Sequence, residues 1–314
     1  MGALALSSRA IIGEFYKYLE MDAGAAWIAL LSMLFTSDQD LEEYKWLGQS
    51  PAMKEWAGGR NAKGFNENGI TIENLHFEAT IEVLVKEMRR DKTGQVMARI
   101  RDLAQRTNSH WASLLSTLII DGESTVCYDG QFFFDTDHEE GDSGVQSNDI
   151  STDISALPAT VHGVVTAPSV EEAQQAIMKS ITAILGFVDD QGEPMNENAT
   201  GFLVMVPMSL YPVFSKAISL PVGTGVSEQT IPAGFDISVV PNARLSAWTD
   251  KFATLRTDGN VKPFIRQEET DVDLKAKAEG SEYEFDNDAH QYGVDAWRNV
   301  GYGYWQHACL NTMV

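Results

Sequence analysis

Apolar residues recur at Val96, Met97, Ile100, Leu103, Ala104, Trp111, Leu114, Leu115, Leu118 and Ile119, at spacings of three and four that form one stripe along a helix. The pattern predicts a helix over 92–120, ~43 Å long at about 1.5 Å per residue. Asp91 or Thr93 can cap its start and Asp121-Gly122 can end it. It empties into a dense aromatic and acidic stretch, Cys127-Tyr-Asp-Gly-Gln-Phe-Phe-Phe-Asp-Thr-Asp-His138. A helix of that length braces something elongated.

The rest of the chain is arranged around it. Residues 9–35 read as helical, with Ile11, Ile12, Phe15 and Leu19 on one face and Trp27, Ile28, Leu31, Leu34 and Phe35 continuing it. From Leu47 to Gly69, glycines, Pro51 and Asn66-Glu-Asn-Gly69 mark turns around short extended pieces. Leu75, Phe77, Ala79, Ile81, Val83 and Val85 then alternate with mostly polar residues, the period of a strand, over more residues than the usual five or six. A glycine-rich return followed by an overlong strand suggests a two-stranded arm that reaches beyond its own core and needs another subunit beneath it, with a long central strand of a compact domain as the alternative.

Residues 139–167 are acidic, rich in Ser, Thr and Gly, and read as a long irregular excursion. Helical spacing resumes from Ser169 to Gly186, where Ser169-Val-Glu-Glu172 is a capping box. Gly201-Phe-Leu-Val-Met-Val-Pro207 reads as a strand buried on both faces, with a helix over Met208–Ala217 behind it and a short strand at Ile237–Val240. Helix, buried strand and helix make a second lobe. Further strands are expected at Pro263–Gln267, Tyr283–Phe285 and Gly301–His307.

Composition narrows the function classes. A chain of 314 residues can bury a large core and divide it into lobes. The formal net charge of −22 argues against direct nucleic-acid binding, which needs clustered Lys and Arg. Between Arg106 and Lys179 there is no Lys or Arg but about a dozen Asp and Glu, so that span is a solvated surface or faces a basic partner. Two cysteines, Cys127 and Cys309, make no disulfide framework and suggest a reducing compartment. The start lacks the basic region of a secretory signal, and the most apolar run, Ala23–Phe35, is too short to span a bilayer, so a soluble, cytosolic start is expected.

Candidate chemistry concentrates at Asp135, Asp137 and His138, which offer two carboxylates and an imidazole. As a calcium loop starting at Asp135, the segment would need Gly and Glu where Glu140 and Gln146 stand. A zinc site would need a further His or Cys from elsewhere. Gly141-Asp-Ser-Gly144 looks like the nucleophile turn of chymotrypsin-type proteases, but those folds are all-β and have no long helix. His307 and Cys309 are a weak thiol–imidazole candidate. No phosphate-cradling glycine loop, HExxH or CxxC is present. The expectation is therefore no catalytic residue, no cofactor and no metal, with a soluble metal-binding hydrolase using Asp135, Asp137 and His138 as the alternative.

Tyr44-Lys-Trp-Leu-Gly48 with Trp56, the dodecapeptide at 127–138, and Tyr292-Gly-Val-Asp-Ala-Trp-Arg-Asn-Val-Gly-Tyr-Gly-Tyr-Trp-Gln-His-Ala308 together resemble the Mu-like phage major head subunit, the gpT family. The resemblance implies an α+β major capsid protein of the Hong Kong 97 phage type. Residues 1–45 would then be an N-terminal arm, 46–90 an extended two-stranded loop, and 91–165 a peripheral domain built on the long spine helix. Residues 166–261 would be an axial domain, and 262–314 would return to the peripheral domain. It also implies a virion subunit assembled in the host cytoplasm, without a membrane. Its partners would be itself, as pentamers and hexamers, with scaffold, portal and possibly decoration proteins. The shell would enclose DNA without sequence-specific binding.

Overall fold

One long helix ties two β-sheets together. The computed structural model describes residues 7–21, 24–44, 69–91, 94–219 and 234–314. In chain order the described elements are α1 (Ser8–Met21), α2 (Trp27–Leu31), β1 (Ser32–Thr36), β2 (Leu41–Tyr44), β3 (Ile70–Glu73), β4 (Leu75–Leu84), α3 (Val85–Arg90), α4 (Gln95–Ile120) and β5 (Asp149–Thr152). They continue with α5 (Val170–Gly186), β6 (Gly201–Val206), α6 (Tyr211–Ser219), β7 (Asp236–Pro241), β8 (Lys251–Arg256), β9 (Phe264–Lys277), α7 (Glu282–Asn287), β10 (Ala289–Tyr302) and β11 (Ala308–Met313). One sheet has the order β1-β9-β10-β4 and the other β5-β11-β8-β6-β7, while β2 and β3 form a separate antiparallel ribbon. Segregated helices and mainly antiparallel pairing make this an α+β fold.

The predicted spine is α4, 26 residues long, or ~39 Å. The Asp91 carboxylate accepts hydrogen bonds from the backbone N–H groups of Gln95 (3.0 Å) and Val96 (2.9 Å), so it caps the helix as expected. Thr93, the other candidate cap, lies outside the described residues. At the far end a 3-10 turn over Asp121–Glu123 stops the helix.

The apolar stripe of α4 serves two cores. Val96, Ile100, Leu103 and Ala104 pack with Ile11 and Phe15 of α1 and with Val83, Leu274, Tyr292 and Val294 of the first sheet. Leu115 and Ile119 belong instead to the large core that takes in α5, β6 and the aromatic residues after the helix. Each fully buried Leu or Ile contributes about 1.5–3 kcal/mol, so both ends are fastened by packing alone. Polar ties add to it: Asn242 Nδ2 donates to Ser116 Oγ at 2.8 Å, and Asn108 Nδ2 to the Leu19 carbonyl at 2.9 Å.

Several expectations change in three dimensions. The helical reading of 9–35 breaks: Gly24 stands at φ +73°, and residues 32–36 are β1, paired in parallel with β9. Apolar periodicity over a short stretch does not distinguish a helix from a strand when a distant partner strand is waiting. The alternating stretch is indeed a strand, β4, but its partner is β10 over Leu75–Leu84, at the edge of the four-stranded sheet. It is therefore not one strand of a free two-stranded arm. The antiparallel pair that flanks the glycine-rich return is β2 with β3; the turns expected over 45–68, with Trp56 and most of Tyr44-Lys-Trp-Leu-Gly48, lie outside the described residues. That ribbon is held to the sheet by Tyr44, whose hydroxyl donates to Gln267 Oε1 at 2.7 Å.

Residues 282–287 form α7, not the strand expected at Tyr283–Phe285, because Ser281 caps a helical turn by accepting from the Glu284 N–H. The strand expected over Gly301–His307 ends at Tyr302; a 3-10 turn over Trp305–His307 then carries the chain to the second sheet as β11, between β8 and β5. The buried strand β6, the helices α5 and α6 and the strand β7 stand where the pattern places them, and 139–167 is irregular apart from β5.

The capping box is complete and does more than cap. Ser169 Oγ accepts from the Glu172 N–H at 3.1 Å, and Glu172 Oε2 accepts from the Ser169 N–H at 2.8 Å. Glu172 Oε1 also accepts from the backbone N–H groups of Val161, His162 and Gly163 at 2.6–2.8 Å. Burial pushes this carboxyl up, but the four backbone donors outweigh it and bring it down to about 2. A depressed carboxyl stabilises the fold fully above its ordinary value near 4.5 and loses that contribution as pH falls through 2. Urea unfolding of Glu172→Gln at pH 7 is expected to show a loss on the order of 3 kcal/mol, with the gap to the unsubstituted chain closing towards pH 2.

Candidate functional site

The stretch after α4 folds back onto the end of the helix. Phe133 N–H donates to the Thr125 carbonyl at 3.1 Å and Phe134 N–H to that of Gly122 at 2.9 Å, which brings both rings under the helix terminus. A side chain at Gly122 would meet Phe134 Cδ2 at 2.6 Å, so the return fits only a glycine there. Phe133 stacks on Tyr302 with ring centroids 4.5 Å apart and contacts Phe264, while the Tyr302 hydroxyl donates to the Leu118 carbonyl at 2.8 Å. Phe132 is the exception and faces outward.

Beneath this aromatic seat lies a buried polar cluster. His138 is fully buried and stacks on Trp305, centroids 3.9 Å apart and planes 7° from parallel. Its Nδ1 is 2.6 Å from Asp129 Oδ2 and its Nε2 is 3.2 Å from Asn148 Oδ1. Asn148 Nδ2 donates to the carbonyls of Phe133 (2.7 Å) and Trp305 (3.3 Å), which identifies Oδ1 as the acceptor. Acceptors on both sides suit a ring that donates from both nitrogens, the form of an imidazolium paired with the Asp129 carboxylate. Burial pushes the Asp129 carboxyl up, but hydrogen bonds from His138 and the Cys127 thiol, the His138 charge and the Gln131 N–H hold it below the usual range.

Cys127, Asp129 and His138 bring one possible metal-ligand atom each within 4.8 Å of one another. Each of these atoms already carries a hydrogen bond: Cys127 Sγ donates to Asp129 Oδ1 at 3.0 Å, and both ring nitrogens of His138 are engaged. Burial, first, and the nearby Asp129 push the Cys127 thiol far up, away from the thiolate that a metal or a nucleophilic reaction requires.

Of the residues singled out in sequence, only His138 joins this cluster. Asp135 turns its carboxylate onto the backbone N–H groups of Phe132 (3.2 Å) and Thr136 (2.7 Å). Asp137 faces solvent, where the neighbouring Asp135 raises its carboxyl. Asp135, Asp137 and His138 thus never converge on one point. In Gly141-Asp-Ser-Gly144, Ser143 Oγ accepts from the Glu140 N–H and donates to the Gly144 carbonyl, so it closes a turn. His307 and Cys309 are both buried; burial brings the imidazole down to about 4 and pushes the thiol well up, leaving neither poised for catalysis.

Asn148 and Trp305 complete the cluster and were not legible as partners, since they stand 10 and 167 residues from His138 in the chain. Asp129 was visible inside the dodecapeptide, but nothing in the spacing linked it to His138.

The family model described as Mu-like prophage major head subunit gpT matches residues 8–158 and 232–313. The Mu-like prophage FluMu major head subunit of Haemophilus influenzae is 25% identical over 266 residues, covering 84% of this chain and 59% of that protein. The major capsid protein of Escherichia phage Mu is 31% identical over 108 residues, 34% of this chain and 35% of that protein. The chain thus spans less than two thirds of the length of these curated relatives. Among solved structures, the procapsid of bacteriophage JBD30 superposes with a TM-score of 0.52 at 21% identity, over 97% of this chain and 74% of that one. The fold is that of phage capsid subunits of the Hong Kong 97 type.

Asp129→Asn removes the charge that His138 faces and leaves a buried ring with an imperfect partner. The expected loss is about 3–5 kcal/mol in urea unfolding at pH 7. Because the Asp129 carboxyl is depressed, its contribution is present above the ordinary carboxylate range and lost as pH falls through the lowered value, so the substituted chain loses less stability on acidification.

Proposed function

The chain belongs to the family of Mu-like prophage major head subunits, gpT, and from that premise we propose that it is the major capsid protein of a Mu-like phage or prophage. Copies of it assemble, as pentamers and hexamers, into the icosahedral shell that encloses packaged double-stranded DNA. The observation that carries this reading is the family match over 8–158 and 232–313, which takes in the spine helix, β7 and β8 of the second lobe and the C-terminal strands, on a backbone that superposes on capsid subunits. Work of this kind is done by interfaces, each burying on the order of 2,000 Å² or more, rather than by a pocket.

In this reading α1 and its surroundings in 1–45 are the N-terminal arm and 46–90 the extended loop, joined where β2 at the end of the arm pairs with β3 of the loop. Residues 91–165 and the β9–β10 pair of 262–314 form the peripheral domain, and 166–261 the axial domain, to whose sheet β11 and, beyond it, β5 are added. Scaffold, portal and possibly decoration proteins are its further partners. The acidic surface suits a container along whose wall DNA slides without sticking.

The Asp129–His138 cluster is structural here: it fixes the turn that seats the spine, and the protein is not an enzyme. Among the described residues, no helix is long and apolar enough to cross a membrane.

Sedimentation velocity of the purified chain, with metal analysis of the same sample, separates this reading from the hydrolase alternative. Hexamers, tubes or shells without stoichiometric metal are expected. A strictly monomeric protein carrying one metal ion per chain would contradict it.

A further inference from the structure

The β9–β10 hairpin, fourteen residues on each side, ends in α7, a helix that buries none of its six residues. Phe285 stands there with 91% of its surface exposed, flanked by Glu284 and Asp286. One exposed ring by itself means little. Its complement, however, exists elsewhere on the same molecule.

Ala79 faces Val294 and Phe77 faces Ala296 across the β4–β10 pair. Leu103 of α4 closes the other side. The two alanines leave an open hollow of about 180 Å³ between sheet and helix; an apolar cavity of about 150 Å³ accepts a benzene ring. Arg298 reaches the same hollow although it is only 3% exposed. Its guanidinium lies 4.9 Å from the Trp111 ring and donates from Nη2 to the Thr107 carbonyl at 3.4 Å, while its Nε has no hydrogen-bond partner among the described residues. Glu268 supplies part of its counter-charge. His110 Nδ1, on the same wall, also lacks a partner among the described residues. Arg106 is exposed at the rim, where it pairs with Asp102 at 2.9 Å, and Glu78 lines the hollow as well.

A ring-sized, largely apolar hollow lined by two arginines against one carboxylate, with the Nε of the buried Arg298 unpartnered among the described residues, fits an aromatic side chain beside a carboxylate, which is the composition of the α7 tip. The tip cannot reach its own hollow: Ala289 and Ala296 are seven residues apart along β10, ~23 Å at about 3.3 Å per residue. We propose that Phe285 of one copy enters the hollow between β4, β10 and α4 of a neighbouring copy, with Asp286 facing Arg298 and Arg106, while Glu284 stays bound to the Gly280 N–H and His290 of its own tip. The contact is heterologous, using a different patch on each subunit, and so propagates round a ring or across a surface. It rests on the shell reading and names one contact within it.

The test mixes Phe285→Cys chains with Ala79→Cys chains in an excess of the unsubstituted chain, lets particles form, oxidises them and separates the products on a non-reducing gel. Both native cysteines are buried and do not compete. A cross-linked dimer is expected from the mixture and from neither variant alone. A dimer from Phe285→Cys alone would mean tip-to-tip packing and overturn the proposal. Particles without any cross-link would overturn it too and leave the shell reading standing. If the unsubstituted chain forms no particles, the shell reading fails and this contact with it. Phe285→Ala gives a second readout on a side chain that folding does not bury: the concentration needed for assembly should rise at least about tenfold, and an unchanged threshold counts against the contact.

Discussion

The structure depends on one helix being buried in two places at once. The N-terminal half of α4 closes the small core against α1 and the four-stranded sheet, and its C-terminal end closes the large core. Because both halves lie on one continuous apolar stripe, the relative placement of the two cores is set by the geometry of a single rigid rod. A subunit that must hold its shape while carrying load in a shell gains from that arrangement, since a rod transmits strain where a linker would bend.

The helix needs an end stop, and the aromatic stretch after it provides one. Phe133 and Phe134 pack beneath the last turn, Gly122 leaves the room they require, and the Tyr302 hydroxyl at the end of β10 donates to the Leu118 carbonyl. Underneath, Asn148 donates to the carbonyls of Phe133 and Trp305, which would otherwise be buried unpaired, and Asp129 accepts from the Gln131 N–H while pairing with His138. A cluster that resembles a catalytic or metal site in its residue types is thus accounted for by the hydrogen bonds it makes. Its ligand atoms face one another instead of an open space.

Local signals were readable in the sequence wherever neighbours along the chain decide the structure. The stripe of α4, the Ser169–Glu172 box, the buried strand β6 and the alternation of β4 all rest on residues within a few positions of one another. What the pattern could not supply was partner choice. β1 looked helical because its parallel partner β9 lies more than 200 residues away, and β4 looked like one strand of an arm because β10 is equally distant. The α7 turn was missed since two aromatic residues read as strand, while the deciding signal was the Ser281 cap before them. At the candidate site His138 was legible, but Trp305 and Asn148, which hold it, were not. The dodecapeptide pointed to the family while concealing which of its carboxylates faces inward.

The central claim is that this chain builds a closed shell from copies of itself. Electron cryomicroscopy of particles formed by the purified chain tests it most directly. The account predicts hollow particles with icosahedral symmetry, in whose wall α4 and the four-stranded sheet can be placed as one rigid unit per subunit. A reconstruction showing only isolated subunits, or particles whose wall does not accommodate that unit, would contradict it.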